Sequence, residues 1–326
     1  MNLDPLIGLA AGTALAPALP YAFLVAGLAA LVVCGNWLVS GSVQIARRFG
    51  VSSFVVGLTV VAYGTSAPEM FISLGAAARG AHDIALGNVV GSNIANIGAI
   101  LAIVALVATI PTRDKAIGLD LAAMLALTAL LFAFGLTGSV GRPAGALFVA
   151  FVVAYTLWSV ARAKKKGRAD PEPATMRLPA ALALTAAALF GLYLGSDVFV
   201  EGARGVAASW GVSERVIAVS IVALGTSSPE LVASLVAALR KEADLSIGNI
   251  IGSNLFNIGG VLGVTAIARP IVVADRALFA GDMAWLLGFS TLLVLAMLPL
   301  SKGKISRPEG ALLLALYCVY VALLFR

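Results

Sequence analysis

Gly64-Thr65-Ser66-Ala67-Pro68-Glu69 occurs twice in this chain, returning 161 positions later as Gly225-Thr226-Ser227-Ser228-Pro229-Glu230. The register then holds without a gap. Gly87-Asn88-Val89-Val90-Gly91-Ser92-Asn93-Ile94-Ala95-Asn96 reappears as Gly248-Asn249-Ile250-Ile251-Gly252-Ser253-Asn254-Leu255-Phe256-Asn257. Between Gly64 and Gly98, 19 of 35 positions are identical to those 161 residues on. The duplication is best kept at polar residues set in apolar surroundings, the reverse of what core packing alone would keep.

The surroundings are apolar indeed. Of 326 residues 60% are hydrophobic and 12% charged, and mean hydropathy is +1.01. A soluble domain carries about 25% charged residues, so the expected solvent is lipid. A membrane-crossing helix needs roughly 20 mostly apolar residues, and the chain divides at its charged and Pro/Gly breaks into ten such stretches. They run about 21–46, 52–79, 83–109, 117–135 and 143–161, then 178–207, 213–239, 244–268, 276–298 and 308–325. A shorter stretch from Pro5 to Pro20 reads as an interfacial lead-in. No basic n-region with a small-residue cleavage site precedes it, so no removable signal peptide is expected.

The polar linker Arg162–Arg177 divides the chain into 1–161, the linker 162–177, and 178–326. Taking the N-terminus as outside, inside loops hold 15 of the 22 Lys and Arg residues and outside loops hold 7. The positive-inside rule then places both termini outside and the linker in the cytoplasm, of a plasma (inner) membrane. Five spans per copy force the two copies into opposite orientations. The expected fold is therefore all-α and polytopic, ten transmembrane helices as two inverted five-helix repeats, the plan of secondary transporters. The net charge of +6 is spread over these loops, which argues against nucleic acid. Cys34 and Cys318 lie far apart within spans and read as buried thiols, without a disulfide framework or metal spacing.

Pro68 and Pro229 fall inside apolar spans, where proline removes a donor and frees the carbonyl four residues earlier, that of Gly64 or Gly225. A carboxylate follows each proline. An ionised acid deep in a membrane costs at least a few kcal/mol, so Glu69 and Glu230 call for a compensating cation or proton. Ser73 and Ser234 share a helix face with these acids, and Ser92 and Asn96, like Ser253 and Asn257, are likewise four apart. Crossing of the two broken helices would gather two carboxylates, hydroxyls, carboxamides and carbonyls. All are oxygens, the donors of hard cations such as Ca2+; soft metals prefer sulfur and imidazole. The glycines Gly87, Gly91, Gly248 and Gly252 suit close helix packing as well as a ligand-bearing helix. Asp197 reads as an interfacial or helix-end hydrogen-bonding group, His82 as a solvated loop residue, and Arg79, Arg240, Asp83 and Asp244 as loop-end anchors.

In these motifs the chain resembles the sodium/calcium exchanger branch of the cation/calcium exchanger superfamily, whose two alpha-repeats carry the Gly-Thr-Ser-x-Pro-Glu and Gly-Asn-x-x-Gly-Ser-Asn pairs. The resemblance implies a midplane site in which Glu69 and Glu230 are the main Ca2+ ligands, helped by Thr65 and Thr226. Ala62, Ser66, Ser92, Ala223, Ser227 and Ser253 would form flanking Na+ sites, and Asn96 and Asn257 would complete the centre. Several relatives, the potassium-dependent branch among them, carry Asp where this chain has Asn257, which argues against K+ co-transport. The short linker has no room for inserted calcium-sensing domains.

The expected function is antiport of Na+ for Ca2+ by alternating access, with both ions as substrates, the lipid bilayer as surroundings, and no cofactor, nucleic acid or obligatory protein partner. A proton-driven antiporter with the same site is the alternative. A passive channel would need no duplicated cage, and no Ser-His-acid set or paired-histidine metal motif supports an enzyme.

Overall fold

In lipid a backbone N–H or C=O has no water to bond, and only a helix satisfies both within one segment. The computed structural model, which describes residues 18–111, 115–165, 173–211, 223–297 and 304–324, is accordingly helical almost throughout. The first half forms α1 (Leu19–Phe49), α2 (Ser53–Thr65), α3 (Ala67–Ala78), α4 (His82–Val107), α5 (Lys115–Leu136) and α6 (Arg142–Lys165). The second half forms α7 (Leu178–Ser209), α8 (Ala223–Thr226), α9 (Ser228–Leu239), α10 (Ala243–Ala268), α11 (Arg276–Met297) and α12 (Arg307–Leu323). Among the described residues seven helices are long and apolar enough to cross a membrane, and α2 with α3, bent by 43° at their junction, makes an eighth. The chain is a multi-pass membrane protein. Most of the expected lead-in (1–17), the middle of the linker (166–172) and the start of the seventh expected span (212–222) lie outside the described residues.

Helix ends follow local chemistry. α1 begins with Pro20 in its first turn and ends at Gly50, whose φ of +65° closes the helix in the left-handed conformation glycine tolerates. Arg47 and Arg48 occupy the last turn, at the negative end of the helix dipole. α12 opens with a reciprocal Ser306–Glu309 capping box and Pro308 behind it. Arg162, expected in the linker, lies within α6, which runs on to Lys165. The far end of the linker is tied back to α1: Gln44 Oε1 accepts the amides of Thr175 (2.8 Å) and Met176 (3.1 Å).

The interior belongs to the helices that carry the Gly-Asn motif. α4 and α10 are each 83% buried over their apolar windows, against 28–39% for α1, α5, α6, α7 and α11. The outer helices turn residues such as Val25, Leu157 and Phe190 outward, a surface suited to lipid and too apolar for water. α1 and α7 lie along one another at glycine contacts. A Cβ at Gly27 would sit 2.4 Å from the Phe199 nitrogen, and one at Gly202 would sit 2.2 Å from the Leu24 nitrogen. Gly248 and Gly252 press on the α2 carbonyls of Phe54 and Leu58, each 2.3 Å from the missing Cβ.

Two short antiparallel pairings join the halves. β1 (Ile110–Pro111) pairs with β4 (Lys304–Ile305), and β2 (Ser139–Val140) with β3 (Ile271–Val272). Cys34 is buried, as expected, but Cys318 is exposed on the outer surface of α12, where a thiol is apolar enough to face lipid.

Candidate cation site

The proline of each motif falls in the first turn of a restarted helix, α3 or α9, where its missing N–H would have had no helical partner. Glu69 and Glu230 stand in those same first turns, at the positive ends of two helices. Both are buried, 0% and 1% exposed. The Ser66 hydroxyl at the α2–α3 bend donates to Glu230 Oε1 across the halves, at 2.9 Å. Thr65 Oγ1 reaches Asn249 Oδ1 at 3.4 Å and its own-helix carbonyl of Ala62 at 3.3 Å.

The Gly-Asn motif frames these acids from α4 and α10. Asn93 Nδ2 donates to the Asn254 carbonyl (3.2 Å), and Asn257 Nδ2 donates to Asn93 Oδ1 (3.0 Å). Asn96 and Asn257 each open a π-helical segment, Asn96–Leu101 and Asn257–Leu262. Such a widened turn shifts side chains from their α-helical register and is common at functional sites. Nothing in the residue pattern announces it.

Of the expected ligands, Ala62, Thr65, Ser66, Glu69, Ser92, Asn96, Ser227, Glu230, Ser253 and Asn257 are all buried, and Thr226 is half-buried. The Ala223 side chain lies outside the described residues, although its backbone is placed in α8. Many of these groups have oxygens without a hydrogen-bond partner: both of Glu69, Oε2 of Glu230, Oδ1 of Asn96 and Asn257, and the hydroxyls of Ser227 and Ser253. A buried polar atom left unpaired costs about 1–3 kcal/mol, more if charged. One cluster of such atoms, all but one of them oxygen (the amide nitrogen of Asn96 is the exception), suits a desolvated hard cation. Among the described residues no group of three or more His, Cys, Asp and Glu could hold a metal. Any cation here therefore draws on two carboxylates plus neutral oxygens.

Two pairs of residues that were not expected as site residues hold the frame. Asn88 Nδ2 donates to the Glu69 carbonyl (3.2 Å) and Ser73 Oγ (2.9 Å). Asn249 repeats this on the Glu230 carbonyl (3.4 Å) and Ser234 Oγ (2.9 Å). The repetition of Asn88 as Asn249 was the available signal. The second pair is Ser196 and Ser228, whose hydroxyls lie 2.6 Å apart and 2.7 and 2.8 Å from the Gly225 carbonyl, so that one donates to the carbonyl and the other donates to it or to its partner hydroxyl. The carbonyl freed by Pro229 thus has hydroxyl partners. Their counterparts in the first half are Gly35 and Ala67, which have none. His82 is half-buried at the start of α4, away from these groups.

Residues 19–161 and 180–326 match the sequence profile of the family described as sodium/calcium exchanger protein. A putative antiporter, CaxA, of Alkalimonas amylolytica is 37% identical over 313 residues, 93% of this chain and 98% of that protein. Sodium/calcium exchanger MaX1 of Methanosarcina acetivorans is 30% identical over 349 residues, 94% of this chain and 98% of that protein. A solved structure of the sodium-calcium exchanger NCX_Mj, soaked with Na+ and Ca2+, superposes with a TM-score of 0.80 at 35% identity. It covers 93% of this chain and 98% of that one.

Proposed function

The chain belongs to the sodium/calcium exchanger family, and from that premise we propose that it exchanges Na+ for Ca2+ across the membrane by alternating access. The observation that carries the reading is the pair of buried glutamates, one from each half, ringed by oxygens without protein partners. Two carboxylates balance one divalent ion, or most of the charge of two or three monovalent ions. Several Na+ can therefore displace one Ca2+ without leaving the pocket uncompensated. Glu69 and Glu230 hold Ca2+, with the hydroxyl and backbone oxygens of Thr65 and Thr226. Ser66, Ser92, Ser227, Ser253 and the carbonyls of Ala62 and Ala223 serve flanking Na+, and Asn96 and Asn257 complete the centre.

The same reading takes the chain as ten spans in two inverted repeats, 1–161 and 178–326, with both termini outside and the linker in the cytoplasm. The matching element order supports it. In each half a four-residue helix, Ala62–Thr65 or α8, meets a twelve-residue helix at the motif, and a fourteen-residue helix then passes into a six-residue π segment.

The test is Ca2+ uptake into proteoliposomes. Uptake should follow an outward Na+ gradient and survive a protonophore. Uptake that requires a pH gradient and ignores Na+ would overturn the sodium assignment in favour of protons.

A further inference from the structure

The 161-residue offset makes α7 the counterpart of α1, and α3 the counterpart of α9. The α1–α9 and α7–α3 faces are therefore equivalent in sequence, yet they differ in arrangement. The α1–α9 face is shut. α9 packs along α1, and a Cβ at Gly35 would lie 2.9 Å from Val232 Cγ1 and 3.2 Å from Val236 Cγ2. Just beyond α9, Arg240 Nη1 donates to the Asn36 carbonyl (2.8 Å) and the Ser40 hydroxyl (2.7 Å) of α1. The residue expected as a topological anchor is a bridge between the two helices.

The α7–α3 face is parted. The two helices hardly touch. A cavity of about 310 Å³ lies between them, lined by Phe71 and Ile72 of α3, Asp197 and Glu201 of α7, and Gly225 and Thr226 of the second motif. Gly225 and Thr226 belong to the motif that carries Glu230, so the cavity leads to the candidate site.

The counterparts of Asn36 and Ser40 are Asp197 and Glu201, and the counterpart of Arg240 is Arg79. Where the shut face offers Arg240 neutral acceptors, the parted face offers Arg79 two carboxylates, four residues apart and so on one side of α7. Arg79 follows Pro68, Ile72 and Gly75 at helical spacing, on the side of α3 that lines the cavity. Its guanidinium lies back over Gly75, where a Cβ would be 3.6 Å from Nη1. In the shut face the counterpart of Gly75 is Val236, which fills that space itself.

We propose that the α3–α7 cavity is the cation access path in this conformation, and that Arg79 is the positioning residue that closes it by pairing with Asp197 and Glu201. The two carboxylates thereby serve twice. With the face parted they concentrate cations at the mouth; with it shut they hold the arginine, and the path is blocked by the charge that repels its traffic. The proposal rests on alternating access as read above, but not on sodium as the driving ion.

The experiment is exchange of external for internal Ca2+ in proteoliposomes, an assay that needs both faces to open in turn and needs no Na+. Arg79→Glu should slow this exchange about fivefold, the most that a partly exposed ion pair supports. Adding Glu201→Arg should return it to within about twofold of the parent, because the pair is rebuilt with its charges swapped. Equilibrium Ca2+ binding by the purified variants, measured calorimetrically, should match the parent and so establishes that they fold. The milder Arg79→Gln should fall between parent and Arg79→Glu. Parental exchange rates in the Arg79 variants, or a swapped pair no faster than Arg79→Glu alone, would overturn the gate. A parent that exchanges Ca2+ here yet ignores Na+ gradients overturns the sodium reading and leaves the gate standing, provided that the swap rescues.

Discussion

The first and second halves of this chain agree at the centre and disagree around it. Each supplies one buried glutamate at the start of a restarted helix and one asparagine clamp on that helix. Outside that ring the halves diverge. The second has Ser196 and Ser228 on the Gly225 carbonyl where the first has Gly35 and Ala67. The first has a buried Asp120 held by Arg162 (2.8 Å) and the Tyr155 hydroxyl, whereas the second has Asp282 and the Tyr320 hydroxyl at 3.3 Å. Where a group faces the proposed cation, the duplication is kept. Where it only supports its own half, each half has found its own means.

The sharpest way to break this account is at the acids. Glu69→Gln and Glu230→Gln each leave one charge opposite a divalent ion. Ca2+ affinity should fall about 100-fold or more in both, as when one member of a buried charge pair is removed. Equal losses by isothermal titration sharpen the equivalence, and near-normal affinity in either variant would falsify the shared site. Arg162→Met tests the divergent region. It strands the buried Asp120 and should cost about 3 kcal/mol of stability, with Asp282→Asn costing under about 1 kcal/mol; thermal unfolding in detergent measures both. Matching losses would mean that the two acidic clusters are equivalent after all.

The clamps come next. Asn88→Ala and Asn249→Ala each leave buried groups unpaired and should weaken Ca2+ binding by roughly 1–2 kcal/mol. Asn249→Ala should be the worse because it also releases Thr65. The reverse order would show that the cross-half contact carries nothing. The smallest effect belongs to Ser228→Ala, about 1 kcal/mol of stability with Ca2+ affinity intact. The same loss from Gly35→Ala would have another source, since a Cβ there meets Val232.

Much of the site was legible because duplication marks it: residues buried in lipid have no reason to repeat a polar pattern unless both copies meet one object. Glu69, Glu230 and most of the expected oxygen donors are buried where that reasoning put them. The clamp role of Asn88 and Asn249 was not legible, because a repeated Asn can face a helix backbone as well as an ion. The π segments were hidden too, since a widened turn has no residue signature of its own. Cys318 reads the same facing lipid or core, both being apolar. Which face is parted could not be read at all, because two equivalent faces are one sequence pattern in two arrangements.

The Ser66–Glu230 bond joins residues 164 apart, which bears on how the protein is made. A ribosome adding about 5–20 residues per second leaves the first motif waiting roughly 8–30 s for its partner. During that interval Ser66 lacks its acceptor and Glu69 stands in a half-built pocket, and β1 waits longer still for β4. The N-terminal half is therefore a nascent intermediate with an unshielded acid, and its residence at the insertion machinery is set by the synthesis of the half that completes it.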